Sequence, residues 1–334
     1  MSKIGICVNP MSGRDVRRLA ARATNMTHEA KRDIVARIAA GADSVGVSDI
    51  YVMKEPFRIA SLALEHMQLG ARVHVLESPI KNDSRDTVEA VRLFWQAGCE
   101  TILSLGGDGT NRAIVKSTSD IDLIPLSTGT NNVYPLTVEP TIAGIVAGLN
   151  ATGRLTEPSL KSRSKVIHLE SRGHRDIALI DLVKLKNDQL GSLLPFKSEN
   201  IEQLLLTRAE PGSIGMSPLG GFVDPLYEGD DAGLLLKLGN QGQRVRAPLS
   251  PGLFGEVRVS SSLRVALDSV IEFDGPGILA MDGDREIELL AGENAMALIR
   301  RDGPFVLKVD EAMRWAASKG IMSLSSLFLE AVMI

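Results

Sequence analysis

Three short polar segments carry the chemistry available to this sequence. The first is Gly106-Gly107-Asp108-Gly109-Thr110, three glycines around a carboxylate, directly after the apolar run Thr101 to Leu105. Glycine lets a backbone approach phosphate oxygens closely, and the unpaired N–H groups of a following helix attract an anion. In that setting Asp108 either holds a cation or orients and deprotonates an attacking hydroxyl; the alternative is a tight turn in which Asp108 only caps the helix. The second segment, Ser127-Thr128-Gly129-Thr130-Asn131-Asn132, follows the next strand-like run, Asp122 to Leu126. Thr130, Asn131 and Asn132 combine donors and acceptors without adding charge, which suits ribose hydroxyls or an amide beside phosphates, or simply a capped turn. The third, Asn9-Pro10-Met11-Ser12-Gly13, ends the first strand-like run and leads into Arg14, Arg17 and Arg18. It offers N–H groups, a hydroxyl and guanidinium groups to a triphosphate, although an arginine-bearing helix is equally a solvated face.

These segments act together only if neighbouring strands bring them to one edge, and the pattern over residues 1–150 predicts that arrangement. Strands are expected at Lys3 to Val8, Asp49 to Met53, Arg72 to Glu77, Thr101 to Leu105 and Asp122 to Leu126. Helical spacing lies between them, at Asp15 to Ala23, Thr27 to Ala40, Pro56 to Leu69, Asp83 to Ala97, from Asn111 onward, and at Pro140 to Leu149. Strand and helix in alternation give a Rossmann-like α/β domain with a parallel sheet, which binds ligands at the carboxyl ends of its strands. From about Thr156 the pattern changes to short alternating runs separated by Gly, Pro and Ser, predicting a mostly antiparallel β domain over 151–309. A helical stretch from Asp310 to Lys319 is expected to return to the first domain. The nucleotide cleft would then lie between the two.

Composition bounds the partners. The 334 residues suffice for two cores, and 37 Lys and Arg against 41 Asp and Glu give a net charge of −4. That mildly acidic balance supplies no basic field for nucleic acid. No basic-plus-apolar leader precedes Ile4, so a cytoplasmic protein is expected. The apolar stretch from Ile321 to Ile334 is interrupted by Ser323, Ser325, Ser326 and Glu330, too short for membrane insertion and better suited to packing or a homo-oligomer contact. Cys7 and Cys99 have no CxxC spacing and read as buried thiols, and the five histidines form no zinc pattern. There is no Gly-Lys dipeptide, hence no Walker A loop.

Together the three segments resemble the superfamily of the NAD kinases, the diacylglycerol and sphingosine kinases and, more distantly, the 6-phosphofructokinases, whose hallmark is GGDGT. With the stretch Pro211-Gly212-Ser213-Ile214-Gly215-Met216-Ser217 and the later Met281-Asp282-Gly283-Asp284, the chain is most similar to the acetoin-catabolism X branch of the ATP-NAD kinase-like family. The resemblance implies a kinase that uses ATP or another nucleoside triphosphate with Mg²⁺ and phosphorylates a hydroxyl, of NAD or another small molecule. The alternatives are an accessory or sensor protein of acetoin catabolism and, less in keeping with a β domain that shows no large apolar or aromatic-rich entry segment, a lipid kinase. Carried over by motif, Asp108 becomes the catalytic or cation-linked carboxylate, and Gly106, Gly107, Gly109 and Thr110 the phosphate cradle. Asn131 becomes the substrate contact, and Asn9 and Ser12 assist at the phosphates. Asp282 and Asp284 take the place of the Asp-Gly-Glu of the lipid kinases as candidate metal ligands. Val133-Tyr134-Pro135-Leu136 stands where the NAD kinases have a glycine-and-aromatic run.

Overall fold

The computed structural model describes residues 1–14, 22–23, 25–192 and 196–323. Residues 15–21, which hold most of the helix expected over Asp15 to Ala23 together with Arg17 and Arg18, lie outside the described residues, as does the tail beyond Ser323. The amino-terminal part runs β1 (Lys3–Val8), α1 (His28–Asp43), β2 (Asp49–Met53), α2 (Ile59–Leu64), β3 (Arg72–Leu76), α3 (Ser84–Gln96), β4 (Thr101–Gly106), α4 (Asp108–Ser117), β5 (Asp122–Ser127) and α5 (Pro140–Ala151). Its five strands pair in parallel in the order β3-β2-β1-β4-β5. The chain leaves β1 toward β2 on one side and returns to β4 on the other. A crevice therefore opens beyond the carboxyl ends of β1 and β4, where strand order reverses.

Helices cover both faces of this sheet, so every residue of β4 is buried. Ile4, Ile6 and Val8 of β1 point to the face covered by α1 and α5, where Ile38, Ala42, Val146 and Ala147 pack. Cys7 and Ile102 point to the other, against Val91 and Phe94 of α3 and Ile114 of α4. Helices α1 and α5 meet backbone to backbone: a Cβ on Gly41 would lie 2.2 Å from the Thr141 carbonyl, and one on Gly144 2.1 Å from that of Ile38.

The rest of the chain comprises β6 (Lys161–Arg163), β7 (Val166–Ser171), β8 (His174–Ala178), β9 (Asp181–Leu185), β10 (Ile201–Leu206), α6 (Ser217–Gly221), β11 (Ala232–Ser250), β12 (Leu253–Ala266), β13 (Ile271–Asp274), β14 (Gly277–Met281), β15 (Asp284–Leu289), β16 (Asn294–Arg300), β17 (Phe305–Leu307) and α7 (Val309–Ser318). Two antiparallel sheets, β12-β11-β10-β9-β14-β15 and β13-β16-β7-β8, share a core that includes Ile167, Leu205, Phe273, Leu279 and Ile299. The chain then re-enters the first sheet: β17 pairs parallel to β5, β6 pairs with β17, and Val309 and Ala312 of α7 join the core under α1 and α5. Among the described residues, no helix is long and apolar enough to cross a membrane.

Candidate functional site

Gly106 ends β4, Gly107 is the N-cap of α4, and Asp108 is the first helical residue. Strand runs into helix with no room to spare, since a Cβ on Gly106 would lie 2.4 Å from the Thr110 side chain. Ser104 Oγ donates to Asn111 Oδ1 at 2.6 Å, and Asn111 Nδ2 donates to the Gly107 carbonyl at 2.9 Å, so a fully buried amide locks the turn from below. Asp108 does not cap its own helix. Its carboxylate accepts the backbone N–H groups of Tyr134 (2.9 Å) and Val133 (3.2 Å), binding the first glycine turn to the second segment.

The second segment stands beside it. The Asn132 amide lies between the two turns, its oxygen accepting from Ser127 Oγ at 2.8 Å and the Gly129 N–H at 3.1 Å in the orientation that satisfies both. A Cβ on Gly107 or Gly129 would come within 2.7 or 2.5 Å of that amide, so both glycines make room for Asn132. Asn131 turns toward the β domain, donating from Nδ2 to Ser250 Oγ (2.7 Å) and to the Leu249 carbonyl (3.1 Å) at the tip of the β11–β12 hairpin. Its buried Oδ1 has no hydrogen-bond partner among the described residues.

The third segment is knitted to the other two. Asn9 Oδ1 accepts from the Met11 and Ser12 N–H groups, and Nδ2 donates to Thr110 Oγ1 at 2.8 Å. Ser12 Oγ lies 2.7 Å from Thr128 Oγ1, and Gly13 takes a left-handed φ of 70°. The side chains of Asn9, Ser12 and Thr110 thus hold the turns against one another, leaving main-chain atoms and Gly109 to face the cleft. Gly109 differs from Gly106, Gly107 and Gly129: among the described residues a Cβ there would meet only Asp284 Oδ2, at an ordinary 3.5 Å.

Asp282 and Gly283 are the two-residue turn of the β14–β15 hairpin, both with positive φ (49° and 90°), as a type I′ turn requires. The Asp282 carboxylate accepts the N–H groups of Leu179 and Ile180, both at 2.8 Å, and of Asp181 at 3.2 Å. This buried carboxylate and Asp108 share the floor of one cleft. Burial, then the negative charge of Asp282, pushes Asp108 from an ordinary 3.8 up to about 7, against the pull of the Tyr134 and Val133 N–H groups. Burial likewise raises Asp282, opposed by Arg112 and its three N–H partners.

The cleft has a volume of about 520 Å³ and gathers Asn9, Ser12, Gly107, Asp108, Gly109, Thr110, Thr130, Asn131, Asn132, Asp282 and Asp284 around one space. Gly13 and Gly106 are not part of its described lining. Its described lining carries Glu55, Asp83, Asp86, Asp108, Asp282 and Asp284 but no lysine or arginine. Among the described residues no three of His, Cys, Asp and Glu are grouped to hold a metal ion.

Three supporting residues escaped the sequence reading. Lys31 of α1 is fully buried and donates from Nζ to the Asn9 and Pro10 carbonyls, each at 2.8 Å. Asn111 locks the glycine turn. Arg112, also buried, bridges α4 to the β domain through the Ile177 carbonyl (2.6 Å), Glu286 (2.7 Å) and Asp176 (3.0 Å). Only Asn111, adjoining GGDGT, carried a signal.

Residues 4–154 match the family model described as the ATP-NAD kinase N-terminal domain, and residues 165–302 that of the acetoin catabolism protein X C-terminal domain. The acetoin catabolism protein X of Cupriavidus necator is 32% identical over 306 residues, which span 85% of this chain and 84% of that one.

Proposed function

We propose that this chain, which belongs to the acetoin catabolism protein X family, is a nucleoside-triphosphate-dependent phosphotransferase acting on an alcohol group. The observation that carries the reading is Asp108, a carboxylate fixed by two backbone N–H groups on the floor of a glycine-walled cleft and held near pH 7 by burial and by Asp282. Phosphoryl transfer asks an enzyme chiefly for positioning and charge stabilisation, with proton removal late. A base whose pKa lies near the working pH is suited to that last step. The acceptor oxygen attacks the γ-phosphorus, the bond from that phosphorus to the β–γ bridging oxygen breaks, and the hydroxyl proton passes to Asp108.

The nucleotide phosphates would lie over Gly109, at the N-terminus of α4, where a side chain would clash with none of the described residues. Asn131 would meet a ligand hydroxyl with its unpartnered Oδ1. Mg²⁺ fits this site as an ion that arrives on phosphate oxygens and water and needs one or two carboxylates from the protein. Asp284, on the cleft wall opposite Gly109, would hold it; Asp282 is already engaged with three N–H groups. When bound, the ion would offset charge on the phosphates.

NAD is the acceptor that the amino-terminal family description puts first, so the test begins with ATP, Mg²⁺ and NAD, scoring NADP by mass and nucleotide binding by calorimetry. Product that depends on Asp108 supports the reading, and an Asp108→Asn variant with near-full turnover ends it. Tight binding with no product from any acceptor would favour an accessory role, the reading that the relative's name supports.

A further inference from the structure

Arg112 follows Asp108 by one helical turn, so the two side chains share a face of α4. From that face the Arg112 side chain, 3% exposed, crosses to the β domain, and each of its three nitrogens has a partner there. Nε donates to the Ile177 carbonyl of β8 at 2.6 Å. Nη2 and Nη1 donate as a fork to the two carboxylate oxygens of Glu286, at 2.7 and 3.1 Å, and Nη2 also lies 3.0 Å from Asp176.

Glu286 stands on β15 two residues after Asp284, so both side chains leave the strand on the same side. The fork therefore fixes β15 where the strand carries Asp284. Asp284 Oδ2 lies 3.8 Å from Arg112 Nη1, close enough for the charge to attract it and too far for a hydrogen bond. The same oxygen is the atom that a side chain on Gly109 would meet at 3.5 Å. Asp284 is thus drawn over the first turn of α4 by a guanidinium that takes none of its lone pairs. With all three nitrogens engaged by Ile177, Glu286 and Asp176, Arg112 is held back from closing on Asp284.

Such a tie matters for a cation shared between domains. Mg²⁺ demands near-ideal octahedral geometry at about 2.0–2.1 Å, and a misplacement of about 1 Å in a reacting site can cost about 10²-fold. Gly109 is on the first domain and Asp284 on a hairpin of the second. From the phosphotransferase reading, on which this step rests, we infer that Arg112 is a positioning residue, tying the β14–β15 hairpin to α4 so that Asp284 meets the ion carried by phosphates over Gly109. Arg112 is not part of the cleft lining and acts through Glu286 and Asp284.

The test measures ATP affinity of the full chain by calorimetry, in EDTA and at saturating Mg²⁺, and takes the ratio as the cation gain, at least tenfold in the native protein. Arg112→Lys keeps a charge but loses the fork, and Glu286→Gln loosens the same tie from a residue 40% exposed. In each variant, affinity in EDTA should stay within twofold of native and the cation gain should fall to threefold or less. The double variant should lose no more than twofold beyond the worse single one, as partners in one contact do. Affinity that falls equally with and without Mg²⁺, a cation gain that stays native, or losses that multiply in the double variant overturn the inference. If Arg112→Lys shows no cooperative melt, Glu286→Gln decides by the same ratio. Native protein that binds ATP with no cation gain overturns the inference and leaves the phosphotransferase standing; native protein that binds no ATP overturns both.

Discussion

Replacing Asp108 by Asn separates the charge of this group from its place in the fold. An amide oxygen can still accept the Tyr134 and Val133 N–H groups, and an uncharged amide removes the repulsion from Asp282. The Asp108 pKa is raised in the folded state, from 3.8 to about 7, so its contribution to stability is fully present below pH 4 and is lost as pH rises through 7. At about 1.36 kcal/mol per unit, ionising this carboxyl in place costs up to roughly 4 kcal/mol, of which some 2–3 kcal/mol falls between pH 5 and pH 8. For 334 residues at roughly 2.1 cal/mol/K each, the unfolding entropy is about 0.7 kcal/mol/K, which converts that interval to about 4 °C. Relative to the native protein, Asp108→Asn should therefore gain about 4 °C in melting temperature between pH 5 and pH 8, while turnover falls by roughly 10²–10⁴. Calorimetric melts of both proteins across that range read the first, and initial rates at saturating nucleotide the second. A difference in melting temperature that stays flat with pH, or a variant that loses ground at pH 8, would refute the placement of Asp108 as a buried, charge-opposed carboxyl.

Gly109→Ala should raise the melting temperature, since alanine stiffens the first turn of α4 by about 0.5–1 kcal/mol without a clash, yet weaken nucleotide binding at least tenfold in a calorimetric titration. Stability and affinity moving down together would show that the space over Gly109 belongs to the protein. Gly144→Ala should lower the denaturant midpoint by an amount equivalent to about 1–3 kcal/mol or more, because its methyl group meets the Ile38 carbonyl at 2.1 Å and forces α5 away from α1. Nucleotide affinity should fall at least tenfold when EDTA removes divalent cations, since a polyphosphate entering alone faces six carboxylates; equal affinity with and without Mg²⁺ would contradict this.

What could be read from the sequence was the chemistry that local geometry dictates. A strand that ends in Gly106-Gly107 and resumes as a helix has few ways to fold, and Thr27 announces α1 by accepting the Ala30 N–H as its cap. The supports of the site were hidden because their partners are remote. Lys31 looks like one more polar position on an amphipathic helix, and only the tertiary fold brings the Asn9 and Pro10 carbonyls, 22 and 21 residues away, over its ammonium. The β11–β12 hairpin read as separate short runs because much of its middle, from Gly239 to Arg244, is exposed and lacks an alternating pattern. Yet its tip delivers Ser250 to Asn131, 119 residues earlier. The glycines show the same limit most sharply. Gly106, Gly107, Gly109 and Gly129 are equivalent in a motif, but neighbouring protein atoms account for three of them, Thr110 for the first and Asn132 for Gly107 and Gly129. At Gly109, among the described residues, a side chain would meet only Asp284 Oδ2 and that at an ordinary 3.5 Å, and that is why the search for the phosphate begins there.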